Sequence, residues 1–446
     1  MNTLILTGNP ITNPFAYTQG LTLTHLQKLH LSRLLINKQD LIDIAQLFPY
    51  LTDLDLSFSR LDDVTDVGFY NIKTLQVLNL EGCPLTYFGK EIFQGLKGLR
   101  MLKADNYKLC CGDVLPQGFN PANCDAPQDE LSSCTALLQS DFYRISLAVL
   151  CCLVLVGNLV SFVYRTFFSP ATKSSFGVLV SNLCVSDLLM GVYLAFIGLA
   201  DRLYMGSYVW EDNVWKGSTA CHIAGFISLL SNEVSAFNIC LITLDRFLVI
   251  RFPLRFRIHF TARTALIANV IGWVLGVIIA GIPLIFQDSW KFYGETGICI
   301  PLPINKNSHN YAFAVLIVLN FVIFVFIGIG QTIVYLSLRA NSMSNSIMDS
   351  VSKQKSKDLV VARRLFTVVM SDFLCWFPIG LLGLLASTGT AISGQVNVML
   401  AIFILPFNSA LNPFIYTVNV IMEKRNKARE KKLEKQFLAK IKFDKM

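Results

Sequence analysis

Seven apolar stretches, each of about 20 or more residues, constrain this 446-residue chain more than any other feature. A helix needs about 20 mainly apolar residues to cross the hydrocarbon core of a bilayer. The stretches therefore predict seven membrane-spanning helices, which we number span 1 to span 7. They run roughly over residues 143–166, 175–200, 219–250, 264–286, 310–338, 360–387 and 395–419.

Lysine and arginine are concentrated on one side of the predicted membrane. The connections after spans 1, 3 and 5 and the tail are basic, whereas the opposite connections hold few positive charges. Basic connections stay in the cytoplasm, so we expect a multi-pass plasma-membrane protein with its N-terminus outside. The formal net charge of +8 then reflects topology and contact of a basic, amphipathic tail with anionic membrane lipids, not a nucleic-acid partner.

The first 105 residues contain an internal repeat. The pattern Leu-x-x-Leu-x-Leu begins at Leu26, Leu51 and Leu75, and a variant ending in alanine begins at Leu99. These steps of 25, 24 and 24 residues are typical of leucine-rich repeats, in which each unit adds one short strand to a solenoid. The alternating leucines argue against the alternative, an amphipathic helical array.

The predicted fold class is α+β and multidomain, with a leucine-rich-repeat solenoid outside and a seven-transmembrane α-helical bundle. The predicted domains are 1–105 (about four to five repeats, truncated), 106–141 (a cysteine-rich hinge), 142–420 (the seven-transmembrane domain) and 421–446 (the basic tail). The chain begins without a recognisable signal peptide, so we expect either a fragment or a chain that relies on span 1 for insertion.

Acidic side chains accumulate on one face of the predicted repeats. Side chains that alternate with the leucines point to the other side of each strand, and these include Asp53, Asp55, Asn79 and Glu81. Such a patch can bind a basic peptide through charge-assisted hydrogen bonds. A solvated surface without a ligand is the alternative, and the sequence leaves both interpretations open.

The hinge holds four cysteines: Cys110, Cys111, Cys124 and Cys134. In an oxidising extracellular compartment they favour disulfide bonds over the alternative of a zinc site, and the connectivity stays open. The hinge is expected either to cap the last repeat or to transmit ligand occupancy to the bundle.

Several polar side chains lie at membrane depth, where they are costly unless they pair or carry function. Asp187 of span 2 is a carboxylate that demands partners. The candidates are one residue of span 3 and three of span 7: Ser235, Asn408, Ser409 and Asn412. Together they predict either an oxygen-lined site for sodium or protons, or a structural hydrogen-bond network without an ion.

The inner ends of the spans carry groups typical of a conformational switch. Asp245 at the end of span 3 is expected to hold Arg246 at rest and to release it toward a partner's carbonyl groups. Pro378 kinks span 6 beside Trp376, and Pro413 kinks span 7. These features predict a bundle with two alternative packings.

Two further contacts are expected across spans 5, 6 and 7. Asp372 of span 6 would clamp Asn408 and Asn412 of span 7 in the resting packing. Tyr335 and Tyr416 would meet across the opened cytoplasmic cavity.

Together these features resemble the leucine-rich-repeat-containing G protein-coupled receptors of the rhodopsin-like class. The general motifs are Asn158, Asp187, Asp245-Arg246-Phe247, Trp273, Cys375-Trp376-x-Pro378 and Asn412-Pro413-x-x-Tyr416. The more specific segments are SNEVSAFNICLITLDRF, which contains Glu233, together with Asp372, LPFNSALNP and the cysteine pattern of the hinge. The segment FYGETGICIPL is most similar to the relaxin receptors and their invertebrate relatives.

The resemblance implies a role for each group. Cys221 and Cys299 would form a disulfide between span 3 and the second extracellular loop. Glu233 would belong to the activation switch with Asp372, Trp376, Pro378 and the span 7 residues. Asp245, Arg246, Tyr335 and Tyr416 would couple to a heterotrimeric G protein. The repeats would bind a peptide hormone of the insulin/relaxin superfamily, and signalling would raise cAMP.

Other functions compete with this interpretation. A non-signalling ligand-binding or adhesion protein, or a receptor for a glycoprotein hormone, would use the same repeats. A transporter is disfavoured because the spans show no internal repeat. No nucleophile–base constellation or phosphate-binding loop indicates an enzyme, and no cofactor is implied.

Overall fold

A computed structural model of the chain describes the N-terminal region, spans 1 to 5 and the core of span 7. The described residues are 2–8, 22–61, 69–83, 85, 87–129, 131–168, 174–252, 254–290, 292–300, 311, 313–343, 377–378, 381, 385, 400–418 and 421. The chain divides into two compact units. The first comprises Met1–Gln139 and Arg202–Val214, and the second comprises Ser140–Asp201 and Trp215–Met446.

A parallel six-stranded sheet organises the first unit, with strand order β1-β2-β4-β6-β7-β8. The strands are β1 (Thr3–Ile5), β2 (Lys28–His30), β4 (Asp53–Asp55), β6 (Val77–Leu80), β7 (Met101–Ala104) and β8 (Cys124–Asp125). Two shorter strands, β3 (Leu35–Ile36) and β5 (Arg60–Leu61), form a second parallel pair. The four strands β2, β4, β6 and β7 therefore each come from one of the four sequence repeats.

The register of the sheet follows the spacing of the leucines. Leu29 lies beside Leu54, Leu54 beside Leu78, and Leu78 beside Leu102. All four are buried, because alternate side chains of a strand point to the same side and here that side is the core. Helix α1 (Lys38–Leu47) packs on this core with its buried face, and its first turn is closed by a capping box between Asn37 and Asp40.

Small polar side chains that follow the strands join successive repeats through hydrogen bonds to backbone groups. Ser59 donates its hydroxyl to the Leu31 carbonyl oxygen at 2.8 Å and accepts from the Leu34 backbone N–H at 3.1 Å. The Cys83 thiol lies 3.0 Å from the Leu56 carbonyl oxygen one repeat later. These bonds satisfy backbone groups that would otherwise be buried without a partner.

The hinge closes the C-terminal end of the sheet. Its disulfides join Cys110 to Cys124 and Cys111 to Cys134. Short 3-10 helices occupy Tyr107–Cys110 and Pro121–Asn123, and strand β8 extends the sheet by two residues. Leu109, Cys111 and Val114 are buried in the same core as the repeat leucines, so the hinge caps that core.

The segment Arg202–Val214, which connects spans 2 and 3, belongs to the first unit. Its backbone pairs with the backbone of the hinge. The Gly206 N–H donates to the Thr135 carbonyl oxygen at 2.6 Å, and the Val209 N–H donates to the Cys134 carbonyl oxygen at 3.0 Å. The Lys108 ammonium forms a salt bridge with Asp212, and both side chains are buried. The Tyr208 hydroxyl donates to the other oxygen of Asp212 at 2.6 Å.

Long helices make up the second unit. Spans 1 to 4 are the helices Asp141–Phe168, Ser175–Leu203, Thr219–Arg251 and Ala262–Ile285, and span 5 contains Asn320–Met343 after a π-helical stretch, Phe313–Leu319. In span 7 the helix Leu405–Pro413 lies between π-helical stretches Leu400–Ile404 and Phe414–Val418. Shorter helices occupy Phe256–Ile258 and Gln287–Trp290, whereas the helix Tyr208–Lys216 belongs mostly to the first unit.

Three helical segments in the described ranges are long and apolar enough to cross a membrane: Asp141–Phe168, Ser175–Leu203 and Phe256–Ile285. Span 4 exposes Leu266, Val270 and Val274 one turn apart, at 54%, 55% and 53%. An apolar stripe on the outside of a helix suits contact with lipid. Most of predicted span 6 and almost all of the predicted tail, residues 421–446, lie outside the described residues.

The buried ion pair yields the first prediction. Asp212→Leu removes the carboxylate next to the buried Lys108 ammonium, and we expect a loss of about 3–5 kcal/mol in the stability of the first unit. Hydrogen exchange of the full chain should show the amides of Gly206 and Val209 exchanging faster. The double variant Lys108→Met/Asp212→Leu removes both charges and should restore most of the protection. Equal exchange in the single and double variants would contradict this assignment.

Candidate functional site

Asp187 joins spans 2, 3 and 7 through its carboxylate. Its Oδ1 accepts hydrogen bonds from the hydroxyls of Ser235 and Ser409, both at 3.0 Å, and its Oδ2 accepts from the Asn412 amide at 2.8 Å. The Asp187 side chain is fully buried. Of the predicted group, the structure brings these three residues onto the carboxylate, whereas Asn408 makes no hydrogen bond to Asp187 within the described ranges.

Span 1 contacts the same part of span 7. The Asn158 amide donates to the Ser409 carbonyl oxygen at 3.0 Å. A Cβ on Gly157 would lie 3.1 Å from the Pro413 ring, so the absence of a side chain lets the two helices approach. Pro413 removes one backbone donor at this point, and the π-helical stretch Phe414–Val418 follows immediately.

A second polar contact joins span 3 to span 5. The Asn320 amide donates to Glu233 Oε1 at 2.9 Å, and both side chains are buried. Lower in the same pair of helices, the Gln331 amide donates to the Thr243 hydroxyl at 3.0 Å. Our sequence reasoning selected Glu233 but missed Asn320, although an asparagine inside an apolar span was a usable signal.

At the inner end of span 3, Asp245 and Arg246 form an ion pair. The Arg246 Nε and Nη2 lie 3.0 and 2.5 Å from Asp245 Oδ2. The Asp245 side chain is fully buried and the Arg246 side chain is 20% exposed. The arginine is therefore the less covered member of the pair.

The loop after span 3 exposes large apolar side chains that our sequence reasoning did not select. Leu254 is 87% exposed and Phe256 is 75% exposed. They lie among Arg251, Arg255 and Arg257, in the basic connection predicted to face the cytoplasm. Exposed apolar residues rimmed by charges are typical of a surface that contacts another protein or a membrane.

Several predicted switch residues, or their side chains, lie outside the part of the chain that the structure describes. Asp372 and Trp376 lie outside the described residues, so the predicted clamp to span 7 stays a prediction. Tyr335 and Tyr416 are in helical segments, but their side chains lie outside the described part of the chain. Pro378 is in a described helical turn of span 6.

At the opposite end of span 3, Cys221 is disulfide-bonded to Cys299. The loop that carries Cys299 is held by two further bonds, from the Trp215 indole to the Gly297 carbonyl oxygen at 2.6 Å and from the Tyr193 hydroxyl to the Ile298 carbonyl oxygen at 2.9 Å. This loop therefore forms a fixed cover over the ends of spans 2 and 3.

Two carboxylates of the predicted acidic face of the repeats already have basic side chains as neighbours. The Lys28 Nζ lies 3.6 Å from Asp53 Oδ1, and the His30 Nδ1 lies 3.2 Å from Asp55 Oδ2. Burial opposes ionisation of Asp55, but hydrogen bonds from Ser57 and His30 outweigh it and lower the pKa of Asp55. Asp55 is therefore a carboxylate that is both charged and held in place.

Glu81 differs from these two aspartates. Its side chain is exposed, and its backbone N–H donates to the Asn79 side-chain oxygen at 3.1 Å, which fixes the end of strand β6. On the next repeat, Asp105 accepts from the Gly82 backbone N–H at 2.7 Å. Glu81 and Asp105 are both exposed, so the exposed carboxylates described here lie in the C-terminal half of the sheet.

Comparison with known proteins identifies the family of the chain. The model of the 7 transmembrane receptor (rhodopsin family) matches residues 157–416, and the leucine rich repeat model matches residues 49–109. The chain belongs to the rhodopsin family of seven-transmembrane receptors. The family implies a multi-pass protein of the plasma membrane, and its members are signalling receptors, not enzymes. The resemblance to receptors with leucine-rich repeats is thereby confirmed.

Individual relatives share both parts of this architecture. The G-protein coupled receptor GRL101 of Lymnaea stagnalis is 37% identical over 74% of this chain and 29% of its own length. Relaxin receptor 2 of Canis lupus familiaris is 31% identical over 73% of this chain and 44% of its own length. The thyrotropin receptor of Felis catus is 28% identical over 66% of this chain. The chain thus spans less than half the length of the first two.

The cover over span 3 leads to a second prediction. A Cβ on Gly225 would lie 2.4 Å from the Cys299 carbonyl oxygen and 2.3 Å from the Tyr293 ring, so Gly225→Ala forces the loop away. We expect a loss of about 1–3 kcal/mol in stability, measured by thermal unfolding in lipid nanodiscs. Gly281→Ala is the control, because its Cβ meets no atom within 4 Å. Equal stability of the two variants would refute the close approach.

Proposed function

We propose that this protein is a cell-surface receptor that binds a peptide hormone of the insulin/relaxin superfamily and activates a heterotrimeric G protein, raising cAMP. The observation that carries the proposal is the buried Asp187 network with the Asp245–Arg246 pair beneath it. A non-signalling binding protein has no need of a costly carboxylate in the membrane or of a held arginine at its inner end. The relaxin receptors among the relatives support the hormone class.

In the proposed architecture a leucine-rich-repeat solenoid lies outside the cell. It is followed by the cysteine-rich hinge of residues 106–141, the seven-helix bundle of 142–420 and a cytoplasmic tail. The basic connections support this orientation, because positive charge is retained on the cytoplasmic side. The disulfides of the hinge agree with an oxidising compartment for the first unit.

Activation is proposed to proceed by repacking of spans 6 and 7 around Asp187. Hydrogen bonds from Ser409 and Asn412 hold span 7 at rest, and the prolines of spans 6 and 7 let their inner halves move. Arg246 would then leave Asp245 and meet carbonyl groups of the G protein. Leu254 would add apolar contact with the same partner, since it is exposed on the adjacent loop.

The hormone is proposed to bind the open face of the sheet through a basic segment. Glu81 offers an exposed carboxylate, and Asp53 and Asp55 extend the negative potential. Because Lys28 and His30 already contact these aspartates, a cation of the ligand has to displace both side chains, which favours arginine with its bidentate geometry.

The proposed function is tested in cells that express the chain at the surface. A panel of relaxin-like and glycoprotein hormones is applied while cAMP is recorded, and Arg246→Ala serves as the uncoupled control. We expect a relaxin-like peptide to raise cAMP only with Arg246 present. A response to a glycoprotein hormone alone would favour the second candidate class, to which the thyrotropin receptor belongs. Normal surface expression without any response would favour a non-signalling binding protein.

Binding is tested separately from signalling. The variant Asp53→Asn/Asp55→Asn/Glu81→Gln keeps side-chain size and removes three negative charges. We expect at least about tenfold weaker binding of the active hormone, since charge-assisted contacts contribute about 1.5–3 kcal/mol each. A labelled hormone measures the affinity at surface-expressed receptor. Unchanged affinity would exclude this face as the hormone site.

The site around Asp187 is also proposed to hold sodium at rest. The residues fit a small hard cation, because hydroxyl oxygens of Ser235 and Ser409 adjoin the carboxylate and the Asn412 side-chain oxygen is buried without a partner in the described ranges. When bound, the ion would neutralise the carboxylate and favour the resting packing.

Sodium binding gives a prediction that needs no hormone. Thermal unfolding of the receptor in nanodiscs should shift upward as sodium chloride replaces choline chloride at constant ionic strength, because the ion binds only the folded site. Asp187→Asn keeps the shape of the site but removes its charge, and should abolish the shift. An equal shift in both proteins would show that the network holds no sodium.

A further inference from the structure

Arg246 makes a second contact besides its ion pair with Asp245. Its Cζ lies 4.5 Å from the centroid of the Phe176 ring, within the range of a cation–π interaction. Phe176 is the second residue of the span 2 helix Ser175–Leu203. The contact therefore crosses from span 3 to the inner end of span 2, which our sequence reasoning did not connect with the arginine.

The residue before Phe176 binds the other member of the pair. The Ser175 hydroxyl donates to Asp245 Oδ1 at 2.8 Å, while Oδ2 accepts from Arg246. Each oxygen of the buried carboxylate thus has a donor. Two consecutive residues at the start of span 2 fix both charged side chains at the end of span 3.

We infer that Phe176 and Ser175 are positioning residues that retain Arg246 in its resting place, Phe176 through its ring face and Ser175 through Asp245. The inference rests on the proposed coupling to a G protein, in which the guanidinium leaves this place for the partner. Departure of the arginine then breaks the ion pair and the ring contact together. Loss of the ring face should raise the population of receptors in which the arginine is free.

A simple packing role for Phe176 makes a different prediction. The ring also adjoins the apolar cluster around Leu179, Val180 and Ile239, so part of its role is to fill space. Leucine fills much of that space but has no π face, whereas tryptophan keeps the face and strengthens its negative potential. These two substitutions therefore separate cation–π retention from packing.

The first experiment measures basal guanine nucleotide exchange on a panel of purified heterotrimers, with receptor in nanodiscs and no hormone. We expect Phe176→Leu to raise exchange about three- to tenfold, the range set by a partly buried cation–π contact. Phe176→Trp should stay at or below the unsubstituted receptor, and Ser175→Ala should rise as Phe176→Leu does. Equal exchange by the Leu and Trp variants would overturn the inference.

The second experiment does not depend on signalling. Thermal unfolding is measured for Phe176→Leu in the Arg246 background and in an Arg246→Gln background, which removes the cation. We expect the downward shift caused by Phe176→Leu to shrink when the cation is absent. The same shift in both backgrounds would overturn the contact. Intact coupling between the two residues with no exchange on any heterotrimer would instead overturn the proposed function, and with it the signalling role of Phe176.

Discussion

A carboxylate within the hydrocarbon region has to be paired, and the pairing of Asp187 governs the arrangement of the second unit. An unpaired charge at this depth costs several kcal/mol, more than most single contacts return. Three donors from spans 3 and 7 must therefore come within hydrogen-bonding distance of span 2. Asn158 then joins span 1 to the same region of span 7, and Glu233 with Asn320 joins span 3 to span 5.

Such a network suits a structure that changes its packing. Hydrogen bonds are directional, so helices held by them have discrete arrangements, whereas apolar contacts in lipid give little preference between neighbours. In span 7, π-helical stretches flank Leu405–Pro413 on both sides and Pro413 lacks a backbone donor, which supports the proposed repacking of this helix. The same physical feature, polar groups placed in an apolar medium, thus fixes which helices are neighbours here, and in the proposed mechanism its rearrangement is the switch.

The sequence predicted the features that follow from periodicity. The 24- and 25-residue steps of the leucines set the register of strands β2, β4, β6 and β7, because an inward leucine of each repeat must lie beside that of the next. Asp187 and its partners Ser235, Ser409 and Asn412 were also grouped in advance, since buried polar residues in lipid seek one another. Asn408 was included on the same ground but makes no bond to Asp187 within the described residues.

The sequence does not predict contacts between residues that are far apart in the chain and belong to no motif. In the sequence, Phe176 is one of many apolar residues near the start of a helix. Only the fold places its ring against the Arg246 guanidinium. Asp212 lies in a connection whose neighbours indicate no partner, yet it forms a buried pair with Lys108, about 100 residues earlier. In both cases the interaction depends on which backbone segments meet, and neither composition nor spacing encodes that.

The coupling of span 2 to span 7 through Asp187 can be measured by a double-mutant cycle. Asp187→Ala, Asn412→Ala and the double variant are compared by thermal unfolding in lipid nanodiscs. If the carboxylate and the amide interact, the two single losses do not add, and we expect an interaction free energy of about 0.5–3 kcal/mol. Additive losses within error would contradict it, because the carboxylate and the amide would then act independently.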